Sequence, residues 1–360
     1  MRFGIIMAGG AGERFWPLSR RNKPKQILNL SGETTLLDEA IARLEPIIPK
    51  ENIFVATSKE LKPNILKYSQ KVLKDNFICE PIGRNTAPCL GLAAIYLRKR
   101  FGDPTMAVMT ADHKIQDLDV FMKTINVACD HAEKANDIVV FGIAPSRPEV
   151  GYGYVEAAEE VKNDSDLKIY KVKQFREKPN FKLATEFVKK GNFYWNSGMF
   201  VWRVSTLLAE FEKSMPEIYE GLLEIEKAID TPNEDAVLDE VFAKFPKISI
   251  DYGIMENADN VCVIKSEFRW DDIGSWNSIE RIREKDEKGN IIQGDCIALS
   301  TKNSIIYNMA KDKKIVASLG ANNLIIVLTD DAVLICDRER DQQVKDIVTE
   351  LKNRETKEFL

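Results

Sequence analysis

Gly9, Gly10, Gly12, Arg14 and Lys25 are the first residues whose types and spacing could do chemistry. The chain reads Gly9-Gly10-Ala11-Gly12-Glu13-Arg14-Phe15-Trp16-Pro17-Leu18-Ser19, with Pro24-Lys25 close behind, after a hydrophobic run over residues 3–8 that ends in Ala8. A buried strand that empties into glycines lets backbone N–H groups approach a ligand, because glycine takes positive φ without a Cβ penalty. Arg14 and Lys25 add cations, which completes the ingredients of a polyphosphate cradle. No GKS or GKT follows these glycines, which excludes a Walker A loop. Phe15 stands where a dinucleotide fingerprint needs its third glycine, which excludes that motif too. The alternative is a glycine turn without a ligand, and the two cations weigh against it.

Carboxylates come next. Asp112 follows the apolar run 106–109, where it either reaches a phosphate-bound metal or caps the following segment. Asp271 and Asp272 lie between Trp270 and Gly274, just after the β-branched run 261–265. Magnesium takes one or two protein carboxylates and leaves its other positions to phosphate and water, so Asp112 and Asp272 are a candidate pair. Glu177 and Lys178, in Phe175-Arg176-Glu177-Lys178-Pro179, would suit a polyol phosphate, the acid accepting hydroxyl protons and the ammonium holding phosphate. Read alone, that segment is more often a solvated turn before a helix. Asn196 in Asn196-Ser197-Gly198, and Gly151 in Gly151-Tyr152-Gly153-Tyr154, either contact a ligand or shape a strand entry.

These residues need elements to position them. Strand-like runs at 3–8, 53–57, 77–80, 106–110 and 138–143 alternate with amphipathic helical stretches at 35–48, 60–73, 86–101 and 118–134. That order predicts an α/β fold, a Rossmann-like, mainly parallel sheet with helices on both faces and ligands at the carboxyl ends of the strands. The glycine loop, residues 80–88 and residues 111–113 then share one rim. Between 151 and 276 the spacing predicts strands near 152–157, 168–175 and 199–203 and helices near 183–190 and 205–226, an insertion completing the same domain. Beyond residue 285, short β runs at 296–299, 304–307, 314–317, 324–328 and 333–336 predict a separate module, either a sandwich or a short β-helix, before a last helix at 341–352.

Composition narrows the classes. With 360 residues and a net charge of −5, the chain is long enough for a sizeable core and argues against general nucleic-acid binding, while Arg14, Arg20, Arg21, Lys23 and Lys25 concentrate charge for a small anion. Six cysteines without a CxxC pair and only two histidines, His113 and His131, make a zinc site of ordinary spacing improbable; buried thiols in a reducing cytosol are expected. No window approaches the eighteen or so apolar residues of a membrane span. A cytoplasmic protein without membrane partners is the expectation.

Taken in order, AGGAGERFWPLS with PK, EPIGRNTAP, TADH, PEVGYGYVE, FREKP, WNSGMFVW, SIDYGIME and WDDIGSW resemble the sugar nucleotidyltransferases, in particular the guanylyltransferases of mannose 1-phosphate, over nearly the whole chain. The resemblance implies a nucleotidyltransferase fold over residues 1–285 and a C-terminal module over 286–360 resembling a short left-handed β-helix, through which short relatives pair as homodimers. It implies GTP and mannose 1-phosphate as substrates, GDP-mannose and pyrophosphate as products, and Mg²⁺ as cofactor. Ala8, Gly9, Gly10, Gly12, Asn85, Thr86 and Ala87 would line the nucleotide, with Arg14 and Lys25 on its phosphates. Asp112 and Asp272 would hold the metal, with Asp271 one position away as the competing choice. Gly151, Glu177, Lys178 and Asn196 would contact the sugar phosphate, beside Asp272. Glu80 would read guanine, whose N1–H and exocyclic amine are two adjacent donors that one carboxylate accepts together. The longer relatives' isomerase domain is not matched, so no isomerase activity is expected. A glucose-1-phosphate enzyme using another base, or a regulatory subunit without turnover, are the competing readings.

Overall fold

In the computed structural model, residues 1–10, 12–30 and 32–360 are described, apart from the side chain of Lys357; Ala11 of the glycine loop lies outside them. The alternating first half folds as its periodicity dictates. Strands β1 (Arg2–Met7), β2 (Ile53–Ser58), β3 (Phe77–Glu80) and β4 (Thr105–Thr110) pair in parallel, order β3-β2-β1-β4. Helices α1 (Leu36–Leu44), α2 (Lys62–Tyr68) and α3 (Thr86–Phe101) make the crossovers. Thr35 caps α1 by accepting the Asp38 N–H at 3.0 Å, and Asn85 caps α3.

A short strand β5 (Lys114–Ile115) and helix α4 (Leu118–Ala135) lead to β6 (Ile138–Ile143). Strands β7 (Tyr154–Val161) and β8 (Ile169–Arg176), helix α5 (Phe181–Lys190) and strand β9 (Phe193–Arg203) follow. The sheet closes with β10 (Val261–Ser266), giving nine strands in the order β3-β2-β1-β4-β9-β6-β10-β8-β7. Strand β9 begins six residues earlier than expected because Phe193 and Trp195 are buried, and it runs antiparallel between β4 and β6. Asn196 and Gly198 therefore sit inside a strand, beside a register shift in β6, rather than at its entry. The predicted helix 205–226 is two, α6 (Val204–Ser214) and α7 (Pro216–Ala228), since Pro216 has no N–H to continue the first and starts the second. Helix α8 (Glu234–Lys244) falls outside the predicted elements; its apolar contribution to the core is only Leu238, Val241 and Phe242.

The C-terminal half supplies a second, antiparallel pairing, β11 (Trp270–Asp271) on β5, and a four-residue helix α9 (Ile279–Ile282). Strands β12 (Ile291–Gln293), β13 (Cys296–Leu299), β14 (Ile305–Asn308), β15 (Val316–Leu319) and β16 (Leu324–Leu328) stack in parallel on two faces, with β17 (Val333–Asp337) antiparallel at the end. Parallel stacking of successive coils makes this a β-helix rather than a sandwich. Its turns are held from inside by Asn290, which donates to the Thr301 carbonyl at 3.0 Å, and Asn308, which donates to the Asp295 carbonyl at 2.9 Å. Helix α10 (Val344–Asn353) follows.

The module is not packed separately. Ile305, Tyr307, Ile325, Val327, Val344 and Val348 share one buried cluster with Phe15, Trp16 and Leu18 of the glycine-loop segment and with Trp276. Among the described residues no helix is long and apolar enough to cross a membrane. Cys89, Cys129 and Cys262 are buried as expected, whereas Cys79, Cys296 and Cys336 are partly exposed, and all six are free.

Candidate active site

Gly12 shapes the floor of the site. It takes φ 64°, and a Cβ there would stand 2.4 Å from the Lys25 Cβ, so only glycine lets the 12–14 turn and the Lys25 backbone lie this close. The Gly12 carbonyl accepts the Ser19 hydroxyl at 2.7 Å, and the Gly10 carbonyl accepts the Gln26 amide at 2.9 Å. Lys25 is only 5 % exposed. Its ammonium donates to Asp112 Oδ2 and to the Asp272 carbonyl, both at 2.9 Å.

Asp112 follows β4 and Asp272 follows β10 by way of β11, and these two strands of the main sheet are not neighbours. The β5–β11 pairing, with Trp270 opposite Ile115 and Asp271 opposite Lys114, draws both loops over the rim together. Asp112 and Asp272 then line one cleft of about 420 Å³ with Gly12, Arg14 and Lys25. Burial is the largest influence on the Asp112 carboxyl and works to raise it, but the Lys25 charge, the His113 ring and hydrogen bonds from Lys25 and the backbone together outweigh it, and the group sits below the usual carboxylate range. Burial raises Asp272, whose Oδ1 accepts the Tyr152 hydroxyl at 2.7 Å. Asp271 is turned away: Arg281 pairs with it, and its Oδ1 accepts the Ile273 N–H at 2.8 Å. Buried, β-branched Ile273 is forced to φ 42° by this hairpin-like bend, a strained position directly beside Asp272.

His113 is no base toward the cleft through Nδ1, which accepts the Trp270 indole N–H at 3.0 Å. An indole nitrogen only donates, so the ring is neutral with its proton on Nε2. Burial lowers its pKa to about 4. Trp270, Tyr152 and Trp195 continue edge-to-face at centroid spacings of 5.2 Å, an aromatic wall leading away from the carboxylates.

At the end of that wall lies a second polar group. Asn196 donates to Asp251 Oδ1 at 2.9 Å, Lys178 pairs with Glu177, and the Glu177 N–H donates to Glu256 at 3.0 Å. Lys178 is held at φ 45°, which aims the turn after β8 back at this cluster. A Cβ on Gly153 would meet Glu177 Oε2 at 2.4 Å, so Gly153 permits the approach of Glu177 and Asn196. Gly151 is exposed two residues earlier, its N–H on Glu149 at 3.1 Å. Asp251 is the residue that composition and spacing did not single out; burial first, and Glu177 second, push its carboxyl up to about 6.

A neighbouring cleft of about 700 Å³ opens on the other side of Glu13 and is lined by Gly9, Ser58, Pro81, Ile82 and Gly83. Glu80 ends β3 beneath that turn, 7 % exposed, with its carboxyl raised by burial and accepting the Cys89 thiol and the Arg84 N–H. Asn85 takes φ 70° and accepts the Thr86 N–H at 2.8 Å, while the Thr86 hydroxyl accepts the Ile250 N–H at 2.9 Å and the Ala87 N–H donates to the Ile248 carbonyl. The 85–87 turn therefore anchors the segment that carries Asp251. Buried Ala8 sits where β1 ends, its carbonyl accepting the Thr57 hydroxyl at 2.9 Å.

A cleft at the carboxyl ends of a parallel sheet, floored by a glycine turn and walled by two carboxylates, defines a nucleotidyl transferase, and the nucleotidyl transferase family model matches residues 3–289. A second model, for a mannose-phosphate isomerase/GMP-like β-helix domain, matches residues 294–351. A mannose-1-phosphate guanylyltransferase of Klebsiella pneumoniae is 38 % identical over 362 aligned residues, all of this chain and 76 % of that protein. One from Escherichia coli K12 is 38 % identical over 97 % of this chain and 73 % of its own length. The crystal structure of a Thermus thermophilus protein named mannose-1-phosphate geranyltransferase superposes with a TM-score of 0.85 at 31 % identity, covering 98 % of this chain and 99 % of that one. The chain belongs to the mannose-1-phosphate guanylyltransferase family.

Proposed function

We propose that the chain transfers GMP from GTP to mannose 1-phosphate, releasing GDP-mannose and pyrophosphate. The observation that carries this reading is the Lys25 ammonium, fixed between the Asp112 carboxylate and the Asp272 carbonyl at the floor of a cleft that Arg14 also lines. The sugar phosphate is already ionised at neutral pH, so an oxygen of it attacks the α-phosphorus in line, without a protein nucleophile or general base. The obstacle is repulsion: like unit charges about 4 Å apart cost about 4 kcal/mol at an effective dielectric of about 20. Arg14 and Lys25 offset it on the triphosphate, and Lys178 on the sugar phosphate, while Glu177, Asn196 and Asp251 accept or donate at the sugar hydroxyls. The base occupies the cleft beside the 81–83 turn, with Glu80 as its reader once the guanine donors replace the Cys89 thiol.

Two carboxylates on an open, wet cleft are the donor set of a hard divalent cation, and Asp112 and Asp272 would hold Mg²⁺. Bound there, such an ion supplies charge neutralisation between the phosphates. We further propose that residues 1–285 form the catalytic domain and residues 286–360 the module through which two copies pair. Supporting that pairing, Leu299, Ile315, Leu319, Val333 and Ile335 of the module are 56 to 80 % exposed.

The decisive experiment is pyrophosphate release by purified protein with Mg²⁺ across a panel of nucleotides and sugar 1-phosphates. GTP with mannose 1-phosphate should be the preferred pair. No release from any pair would overturn the reading, and preference for glucose 1-phosphate would overturn the substrate.

A further inference from the structure

The cleft that holds Lys25, Asp112 and Asp272 has a wall from the far end of the chain: Lys345, the second residue of α10. The 338–353 segment and its neighbours are latched to the catalytic loops at several points. Lys352 pairs with Glu13 at 2.7 Å, the Trp16 indole donates to the Phe359 carbonyl at 2.9 Å, and Arg20 pairs with Asp331 at 2.8 Å. Asp341, 5 % exposed, accepts the Ser275 hydroxyl and the Asn277 N–H just beyond Asp272. Buried Val344 and Val348 on the same helix pack in the cluster of Phe15 and Trp276, which fixes how α10 is rotated.

Resting on the guanylyltransferase reading, we propose that Lys345 is a further phosphate-binding residue of the reaction, contacting the β- and γ-phosphates of GTP and the pyrophosphate they become. Two observations carry it. Lys345 is exposed on the cleft wall next to Gly12 and Arg14, and among the described residues no carboxylate pairs with it. The nearest acid on the loop, Glu13, is already neutralised by Lys352. As the bond from the sugar-phosphate oxygen to the α-phosphorus forms, the bond to the β-bridging oxygen breaks and its electron pair leaves with pyrophosphate. Lys345 meets that growing charge from the cleft wall that Lys25 also lines, so the C-terminal module completes the catalytic cleft as well as packing against it.

The test compares wild type with Lys345→Ala, Lys345→Gln and Lys345→Arg. Titration of GTP in calorimetry without sugar phosphate, and steady-state kinetics in both directions, are read beside thermal unfolding. Lys345→Ala and Lys345→Gln should weaken GTP binding and raise the KM of pyrophosphate in the reverse reaction by about tenfold, the scale of one charge-assisted hydrogen bond. The KM of mannose 1-phosphate and the melting temperature should stay put, and Lys345→Arg should recover most of the loss. Unchanged GTP and pyrophosphate constants in Lys345→Ala would overturn the proposal, as would a loss that tracks a lowered melting temperature and is not recovered by arginine. If wild type binds GTP but turns over no sugar phosphate, the reaction assigned above fails while the GTP titration still decides the role of Lys345.

Discussion

Lys25 and Asp112 lie 87 residues apart in the chain and meet at 2.9 Å, the lysine almost wholly buried and the aspartate partly open to the cleft. The pair reads as a cation stored in place: the ammonium is already desolvated and oriented, so little reorganisation is left when a triphosphate arrives. Lys25→Met should lower kcat by about a hundredfold or more, the scale of losing one fixed charge at a phosphoryl centre. Lys25→Arg should not rescue it, because a planar guanidinium does not fit between a carboxylate and a carbonyl beneath Gly12. Steady-state kinetics of both variants, with melting temperatures to show folding, check this; full activity in Lys25→Arg would contradict it.

Gly12 and Gly9 separate structural from ligand-directed glycine. Gly12→Ala puts a Cβ 2.4 Å from Lys25 at φ 64° and should cost about 1–3 kcal/mol of stability as well as activity. Gly9 has nothing within 4 Å of an added Cβ. Gly9→Ala should therefore keep its denaturant midpoint and show its effect only in the KM of GTP.

Base choice rests on Glu80. Glu80→Gln replaces a double acceptor by one acceptor and one donor, and should erase the preference for GTP over UTP and dTTP. Competition among the nucleotides in one assay reads it directly, and an unchanged order of preference would remove Glu80 from base recognition.

Asp251 makes a pH prediction. Its carboxyl rises from the ordinary 3.8 to about 6 in the folded protein, so between those values the folded state holds a proton that the unfolded chain has released. Stability contributed by this group is therefore present at the acid end and lost as pH rises through about 6. Urea midpoints of wild type and Asp251→Asn should differ in slope across this window, the variant losing less on going from about pH 4 to about pH 7. Parallel midpoints would refute the assignment.

The apolar face of the β-helix predicts assembly. Leu299 and Leu319 are opposite each other in the β13–β15 ladder, 58 and 80 % exposed, and a double change to glutamate should dissociate a dimer without lowering the melting temperature of the subunit. Sedimentation equilibrium gives the answer, and a monomeric wild type would end the proposal.

Much of this molecule is legible in one dimension. The alternation of continuous apolar β runs with amphipathic helical stretches gives the parallel sheet of the first half, and a glycine loop at the end of β1 needs only local backbone sterics to be recognised. The same holds for Asp112 at the end of β4. The 268–276 segment by itself leaves Asp271 and Asp272 unseparated, because the two are chemically identical neighbours. Arg281, which hydrogen-bonds Asp271 and stands 3.7 Å from Asp272, and Tyr152, which donates only to Asp272, make the difference.

What only the tertiary structure decided are contacts without local period. Strand β9 enters the sheet antiparallel because burial of Phe193 and Trp195 outweighs the turn character of Asn196-Ser197-Gly198. The carboxylates converge through the four-residue β5–β11 pairing, too short to carry a pattern. Asp251 joins Asn196 through a helical turn of the SIDYGIME segment, in which no residue's type or spacing marks a ligand by itself. The C-terminal helix reaches the first glycine loop across 339 residues, through a Lys352–Glu13 pair and a shared apolar core. Sequence alone marked Arg14, Lys25, Asp112, Glu177 and Lys178 as candidates for the chemistry, since charge and backbone freedom belong to residue type, but not Asp251 or Lys345. Their assembly into one cleft depended on long-range burial, which is a property of the packed chain.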